Sequence, residues 1–324
     1  MDLIRPQIIF NTYSTPQQMN LTEFRKAYKL NSSNFLTLTN PKVLKSDKIA
    51  PTAVLMLKPT ALACPAAGTC RKICLNTAGN PIYLKGKIAC RTRRDKALRE
   101  ETNTFYNMLI IELLRFYSKH REHEQLGARL NGVSDYAWEK DFIDPLYSIP
   151  SSVNVTAETV ATVKKQFNIS IFQGKINIIE AILCALDDET GHKIGRKLRF
   201  YDYTKRIDRD FEQCKALDYH LTLSHGSKFD TLAKAEELGL NYAAAFINKL
   251  PETFIYKGKE YTVINGDLTD WRPSDKSDKT YIVGLVMKLT PGQTDTDRQA
   301  FCINGVTVSH VYRQTAGNIH IYLD

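Results

Sequence analysis

Ala53-Val-Leu-Met-Leu57, then Cys64-Pro-Ala-Ala-Gly-Thr-Cys70-Arg-Lys-Ile-Cys74-Leu-Asn-Thr-Ala-Gly79, is the stretch on which the reading of this chain turns. The first run is continuously apolar and lies between Pro51 and Pro59, the pattern of a fully buried strand. The second places three cysteines within eleven residues, with five residues between the first two and three between the next two. Pro65, Gly68 and Gly79 punctuate it, so it reads as a loop. A loop can bend several thiolates toward one point, and thiolates attract zinc and iron–sulfur clusters. Cys90 is the fourth candidate ligand. The plainer alternative is that each cysteine is a small buried apolar residue.

Further along, apolar strand-like runs alternate with helical ones. Strand candidates are 128–131, 169–172, 198–203, 219–223, 241–247, 261–265 and 281–286. Helix candidates are 21–28, capped by Asn20, then 91–120, 153–167, 176–186 and 229–238, the last closed by Gly239. This alternation predicts an α/β fold: a complete or partial (β/α) barrel of about seven mostly parallel strands, with a doubly wound open sheet as the alternative. Residues 1–50 read as a polar extension, 51–290 as the barrel-like domain, and 291–324 as a small β element packed on it.

In such folds chemistry sits at the carboxyl ends of the strands. Asn131, Gly132, Ser134 and Asp135 follow one strand candidate, Asp202 and Lys205 another, Ser224 and His225 a third, and Asp267 a fourth. Parallel strands bring all of these to one rim. Asp135, Asp202, Asp267, Lys205 and His225 are therefore candidate acids, bases or nucleophiles. Asn131, Gly132 and Ser134 are candidates for holding a cofactor.

Charge is lopsided. Residues 1–100 hold seventeen Lys or Arg against five Asp or Glu, and the rest of the chain twenty-seven against thirty. The excess peaks at Lys85, Lys87, Arg91, Arg93 and Arg94, which predicts a polyanionic partner, most simply nucleic acid or a nucleotide. No run approaches the ~18 apolar residues of a membrane span. The amino terminus lacks the basic and apolar segments of a secretory signal. Both predict a cytoplasmic protein with no membrane partner. Seven cysteines, an odd number, also argue against a disulfide framework.

Five motifs occur in order: Cys64-Pro-x-x-x-x-Cys70-x-x-x-Cys74-Leu-Asn-Thr-Ala-Gly79, Arg129-Leu-Asn-Gly-x-Ser-Asp135, Phe200-Tyr-Asp-Tyr-Thr-Lys205, Tyr219-His-Leu-Thr-x-Ser224 and Gly266-Asp-x-x-Asp270. Over roughly residues 50–305 this succession resembles the gene product 88 family of phages and plasmids. The resemblance implies a mobile-element origin and host cytoplasm, and supplies no activity. More distantly, three cysteines after a first strand are similar to radical S-adenosylmethionine enzymes. That likeness implies an iron–sulfur cluster on Cys64, Cys70 and Cys74 with S-adenosylmethionine beside it, although the usual spacing is CxxxCxxC. The resulting function is a metal-dependent enzyme acting on nucleic acid or a nucleotide. Two alternatives stand beside it: a zinc-containing barrel that modifies nucleobases by transglycosylation, and a non-catalytic nucleic-acid binder with a structural zinc.

Overall fold

The computed structural model describes residues 19–39, 44–45, 48–77, 81–143, 176–186, 197–287 and 294–303. The candidates at 153–167 and 169–172 lie outside the described residues, as do 288–293 and 304–324; the described part of the expected β element 291–324 holds instead a helix at Asp295–Phe301, begun by a Thr294 cap.

The first helix, α1 (Leu21–Tyr28), starts as its sequence predicts. Asn20 accepts from the Glu23 amide at 3.0 Å, and Glu23 accepts from the Asn20 amide at 3.3 Å. This reciprocal pair satisfies two helix-end donors. Among the described residues ten strands follow in chain order: β1 (Thr52–Val54), β2 (Leu126–Arg129), β3 (Phe142–Ile143), β4 (Ile176–Asn177), β5 (Leu198–Thr204), β6 (Tyr219–Ser224), β7 (Tyr242–Phe246), β8 (Thr253–Tyr256), β9 (Lys259–Asn265) and β10 (Ile282–Val286). Eight of them form one sheet in the order β1-β2-β5-β6-β7-β10-β9-β8. Every pairing in it is parallel except the β8–β9 hairpin. The expected mostly parallel α/β sheet is present. Among the described residues no pairing joins β1 to β8, so the sheet is an open row.

The expected helix 91–120 is two helices, α2 (Pro81–Glu100) and α3 (Thr102–Lys119). The break falls at Glu101, whose backbone (φ −134°, ψ 54°) is not helical. The remaining helices are α4 (Ile178–Leu186), α5 (Phe211–Ala216), α6 (Thr231–Leu238) and α7 (Asp295–Phe301). Gly239, at φ +65°, ends α6 in the left-handed region where glycine avoids the steric cost. Among the described residues no helix is long and apolar enough to cross a membrane.

Period-two alternation divides the sheet residues between two faces. Leu126, Ala128, Leu198, Phe200 and Leu221 join Phe105, Leu109 and Leu113 of α3 in the main core. On the other face Arg129 lies 5.7 and 5.2 Å from the ring centroids of Tyr201 and Tyr203 and pairs with Asp270 at 2.5 Å. Trp271 covers Tyr201 edge to face at 5.3 Å. Gly127 makes this closeness possible. A Cβ there would stand 2.5 Å from Thr52 Oγ1 and 2.9 Å from the Tyr201 ring. Gly127→Val is therefore expected to lower stability by about 1–3 kcal/mol through overpacking. Urea unfolding measures this, and an unchanged midpoint would refute the tight packing of this face.

Candidate functional site at the cysteine loop

The loop carrying Cys64, Cys70 and Cys74 lies across the carboxyl ends of four strands. On the β2 side, Gly132 donates to Leu55 O at 2.9 Å and Asp135 to Ala63 O at 2.8 Å. On the β6 side, Gly68 donates to Gly226 O at 2.9 Å and Lys228 to Ala66 O at 3.1 Å. Ser227 Oγ donates both to Ala66 O at 3.2 Å and to Lys205 O at 2.8 Å, which adds the end of β5. Three glycines permit these contacts. A Cβ on Gly68 would stand 2.7 Å from the Ser227 backbone, one on Gly132 2.5 Å from Val54, and one on Gly226 2.5 Å from the Phe301 ring.

All three thiols are half-buried at this rim. Burial pushes Cys64 up to about 12, with the charges of Asp135 and Cys74 adding to the effect and Lys205 opposing it. Cys74 is also pushed up by burial, although it accepts from the Asn76 amide at 3.5 Å. Lys205 Nζ donates to Ser224 Oγ at 3.2 Å. His225 Nδ1 lies 3.0 Å from Tyr242 Oη, and burial together with Lys205 lowers the imidazole to about 4.

Asp135 belongs to the same rim. It accepts from Thr204 Oγ1 and from the Lys205 amide, both at 2.7 Å, and lies 3.6 Å from Arg209. Arg209 in turn grips Glu139, with Nε–Oε1 at 2.8 Å and Nη2–Oε2 at 2.7 Å. The sequence reading missed Arg209 and Glu139. Neither lies in a motif, and a lone charge in a loop carries no signal of burial.

Other expected residues have different surroundings. Asp202 is fully buried and accepts from the amides of Leu130 and Asn131, each at 3.0 Å, and from Tyr219 Oη at 2.7 Å. Burial pushes it up to about 6. Asp267 accepts from the Val286 amide at 2.7 Å, tying β9 to β10; among the described residues no contact joins it to the cysteine loop. Asn131, expected to meet a cofactor, spends its amide on its own turn. It accepts from Ser134 Oγ at 3.0 Å, the Tyr136 amide at 2.8 Å and Trp138 Nε1 at 3.2 Å, and donates to Tyr136 O at 2.9 Å. Gly132 and Ser134 serve this turn and its approach to β1.

Cys90, expected as a fourth ligand, lies on α2, packs against the main core and donates to Asn34 O at 3.4 Å. Arg91 and Arg94 are buried, against the expectation that they meet nucleic acid. Arg91 donates to Asn76 O at 2.8 Å, and Arg94 donates to Met56 O and, through Nε, to Asn34 O, both at 3.0 Å. Arg93 is half-buried, and Lys85 and Lys87 are exposed. A separate cleft of about 250 Å³, lined in part by Lys259, Tyr261 and Lys279, lies at the opposite, amino-terminal ends of β9 and β10.

Residues 25–156 match the Gene product 88 family model. The match takes in the cysteine loop, α2, α3 and the turn at 130–138. It stops short of the later motifs at 200–205, 219–224 and 266–270. No curated protein and no solved structure matches the chain. The likeness to radical S-adenosylmethionine enzymes therefore gains no support from these comparisons.

The lowered imidazole sets a pH dependence. His225 binds its proton in the unfolded chain near pH 6.5 and in the folded one only near 4. Its contribution is thus fully present above about pH 6.5 and is lost as pH falls toward 4. His220 is lowered to about 4 as well, chiefly by burial. Denaturation midpoints are expected to drop across that window, and His225→Gln to flatten part of the drop. An identical pH profile in the variant would contradict the burial of this ring.

Proposed function

We propose that this rim is the active site of an enzyme acting on nucleic acid or a nucleotide, with Lys205 holding the substrate's anionic group beside the thiols. The observation that carries the reading is the Lys205 ammonium. It is half-buried, close enough to Cys64 and Cys74 to influence both, and hydrogen-bonded to Ser224. Among the described residues no carboxylate lies within ion-pair distance of it; Asp135, whose charge it feels, is hydrogen-bonded to Thr204 and the Lys205 amide and pairs with Arg209. A partly desolvated cation in this position favours an anion, and a phosphate supplies one. With its pKa raised, Cys64 stands at neutral pH as a thiol, a proton donor rather than a nucleophile. On this reading β1, β2, β5, β6 and β7 form the wall of a partial barrel, and a host cytoplasm supplies the reducing setting that free thiols need.

The implied cofactors are an iron–sulfur cluster with S-adenosylmethionine, or zinc. Three thiols on one loop are the donor chemistry such groups take. Their placement is not that of a finished site: among the described residues no three His, Cys, Asp or Glu side chains gather closely enough to hold one ion. The residues as they stand do not fit a metal, and the reading rests on Lys205 and the thiols alone.

Lys205→Met is expected to weaken binding of a nucleoside triphosphate or an oligonucleotide about tenfold, ~1.4 kcal/mol, with little change in melting temperature. Unchanged affinity in a titration would overturn the proposal. Stoichiometric iron with sulfide, or zinc, in anaerobically purified protein would show that the loop closes on a metal, and would replace this reading with one of the two metal-bearing ones.

A further inference from the structure

Residues 48–94 hold nine Lys or Arg and no Asp or Glu. Arg91 and Arg94 turn inward; Arg71 and Lys72 on the loop and Lys85 and Lys87 in the first turns of α2 are exposed, as are Lys48 and Lys58 ahead of the loop. In those first turns, residues 82–89 are all exposed or half-buried, with Ile82 82% and Tyr83 62% exposed and Lys85 and Lys87 both open to solvent. Between 82 and 90 the helix has no fully buried residue. The middle residue of this stretch is Gly86, and a Cβ placed there would meet nothing within 4 Å. Glycine inside a helix is less favourable than alanine. Packing does not require it at this position, since the space is empty. On a helix, residues three and four apart are neighbours, so the gap at Gly86 adjoins both Ile82 and Tyr83, and Lys87 lies one turn beyond Tyr83.

We propose that the first turns of α2 receive single-stranded nucleic acid, a base stacking on Tyr83 over the bare surface at Gly86 while a phosphate pairs with Lys87. This rests on the reading above that the partner is nucleic acid, and gives it a second surface on the helix that follows the cysteine loop. An exposed aromatic ring among cations is how proteins hold unpaired bases, whose faces are free to stack. A duplex keeps its bases stacked on one another. An anionic membrane or an acidic protein surface would use the cations and have no need of the gap.

The test uses the full chain and labelled oligonucleotides of about 12 nucleotides, single-stranded and duplex, DNA and RNA. Single strands are expected to bind about tenfold more tightly than duplex. Tyr83→Ala and Gly86→Leu are each expected to weaken that binding about tenfold. Gly86→Ala, with its smaller side chain, is expected to raise the melting temperature. Lys87→Gln is expected to lower the salt slope by about 0.7, one phosphate's share for a single strand. Because the position faces open space, Gly86→Leu tests the contact without threatening the fold. Equal binding of duplex, wild-type affinity in Gly86→Leu, or binding only to vesicles of anionic lipid would each overturn the proposal. If Lys205→Met weakens binding while Gly86→Leu and Tyr83→Ala do not, the rim stands and the helix surface falls. The reverse pattern leaves the helix surface standing without the rim.

Discussion

The hydrogen bond from the Gly68 amide to the Gly226 carbonyl, at 2.9 Å, holds the cysteine loop against the end of β6. Neither glycine can be replaced without moving backbone or the Phe301 ring. One such bond contributes only about 1 kcal/mol net. Its weight comes from its place in a set of backbone contacts to β2 at one side and to the 226–228 turn at the other. Together they stretch a single loop over strand ends from β1 to β6. Without that docking the thiols would swing free of Lys205, and the neighbouring loops would share no rim.

The three aspartates show what the rim costs in backbone terms. Asp135 closes on the Lys205 amide, Asp202 on the amides of Leu130 and Asn131, and Asp267 on the amide of Val286. Each carboxylate satisfies a main-chain donor where a parallel strand ends and ladder bonds run out. In the sequence all three look alike, an acid after an apolar run. Their difference lies in what stands opposite: Thr204 and Arg209 for Asp135, Arg129 and Tyr219 for Asp202, β10 for Asp267. Those partners are up to about seventy positions away, and no local pattern announces them.

Much of the sheet was legible for the converse reason, because its signals are local. Ile282–Val286 and Tyr242–Phe246 are apolar runs, and Leu198–Thr204 alternates; all three are strands of the parallel sheet. The strand Thr253–Tyr256 escaped notice because it is only four residues long and lacks flanking apolar sequence, although all four of its residues are aromatic or β-branched, the strand-forming types. Its hairpin signal was present in Lys257-Gly258, whose φ values of 47° and 78° make the left-handed turn that joins antiparallel strands. The helix break at Glu101 was not legible at all, since Arg99, Glu100, Glu101 and Thr102 are compatible with an unbroken helix.

Helix α2 carries the most instructive mismatch. Its buried positions are 91, 94, 95, 97 and 98, a stripe at helical spacing that holds two arginines and an aspartate. A search for apolar periodicity sees only charge there and reads a solvated basic face. The guanidiniums are inside because unpaired carbonyls are inside. Asn34 O accepts from Arg94 and Cys90, Met56 O from Arg94, and Asn76 O from Arg91. These are loop carbonyls, and a fork of fixed donors on a rigid helix satisfies several at once. The same helix has no fully buried residue at 82–90, where Tyr83, Lys85, Gly86 and Lys87 lie at the surface. The helix thus divides by burial into a second half that braces the cysteine loop through Arg91 and a first half without a fully buried residue at 82–90. Lys85 and Lys87 of the first turns are exposed, whereas the exposed cations of the second half, Lys96 and Arg99, are paired with Glu100 and Asp95.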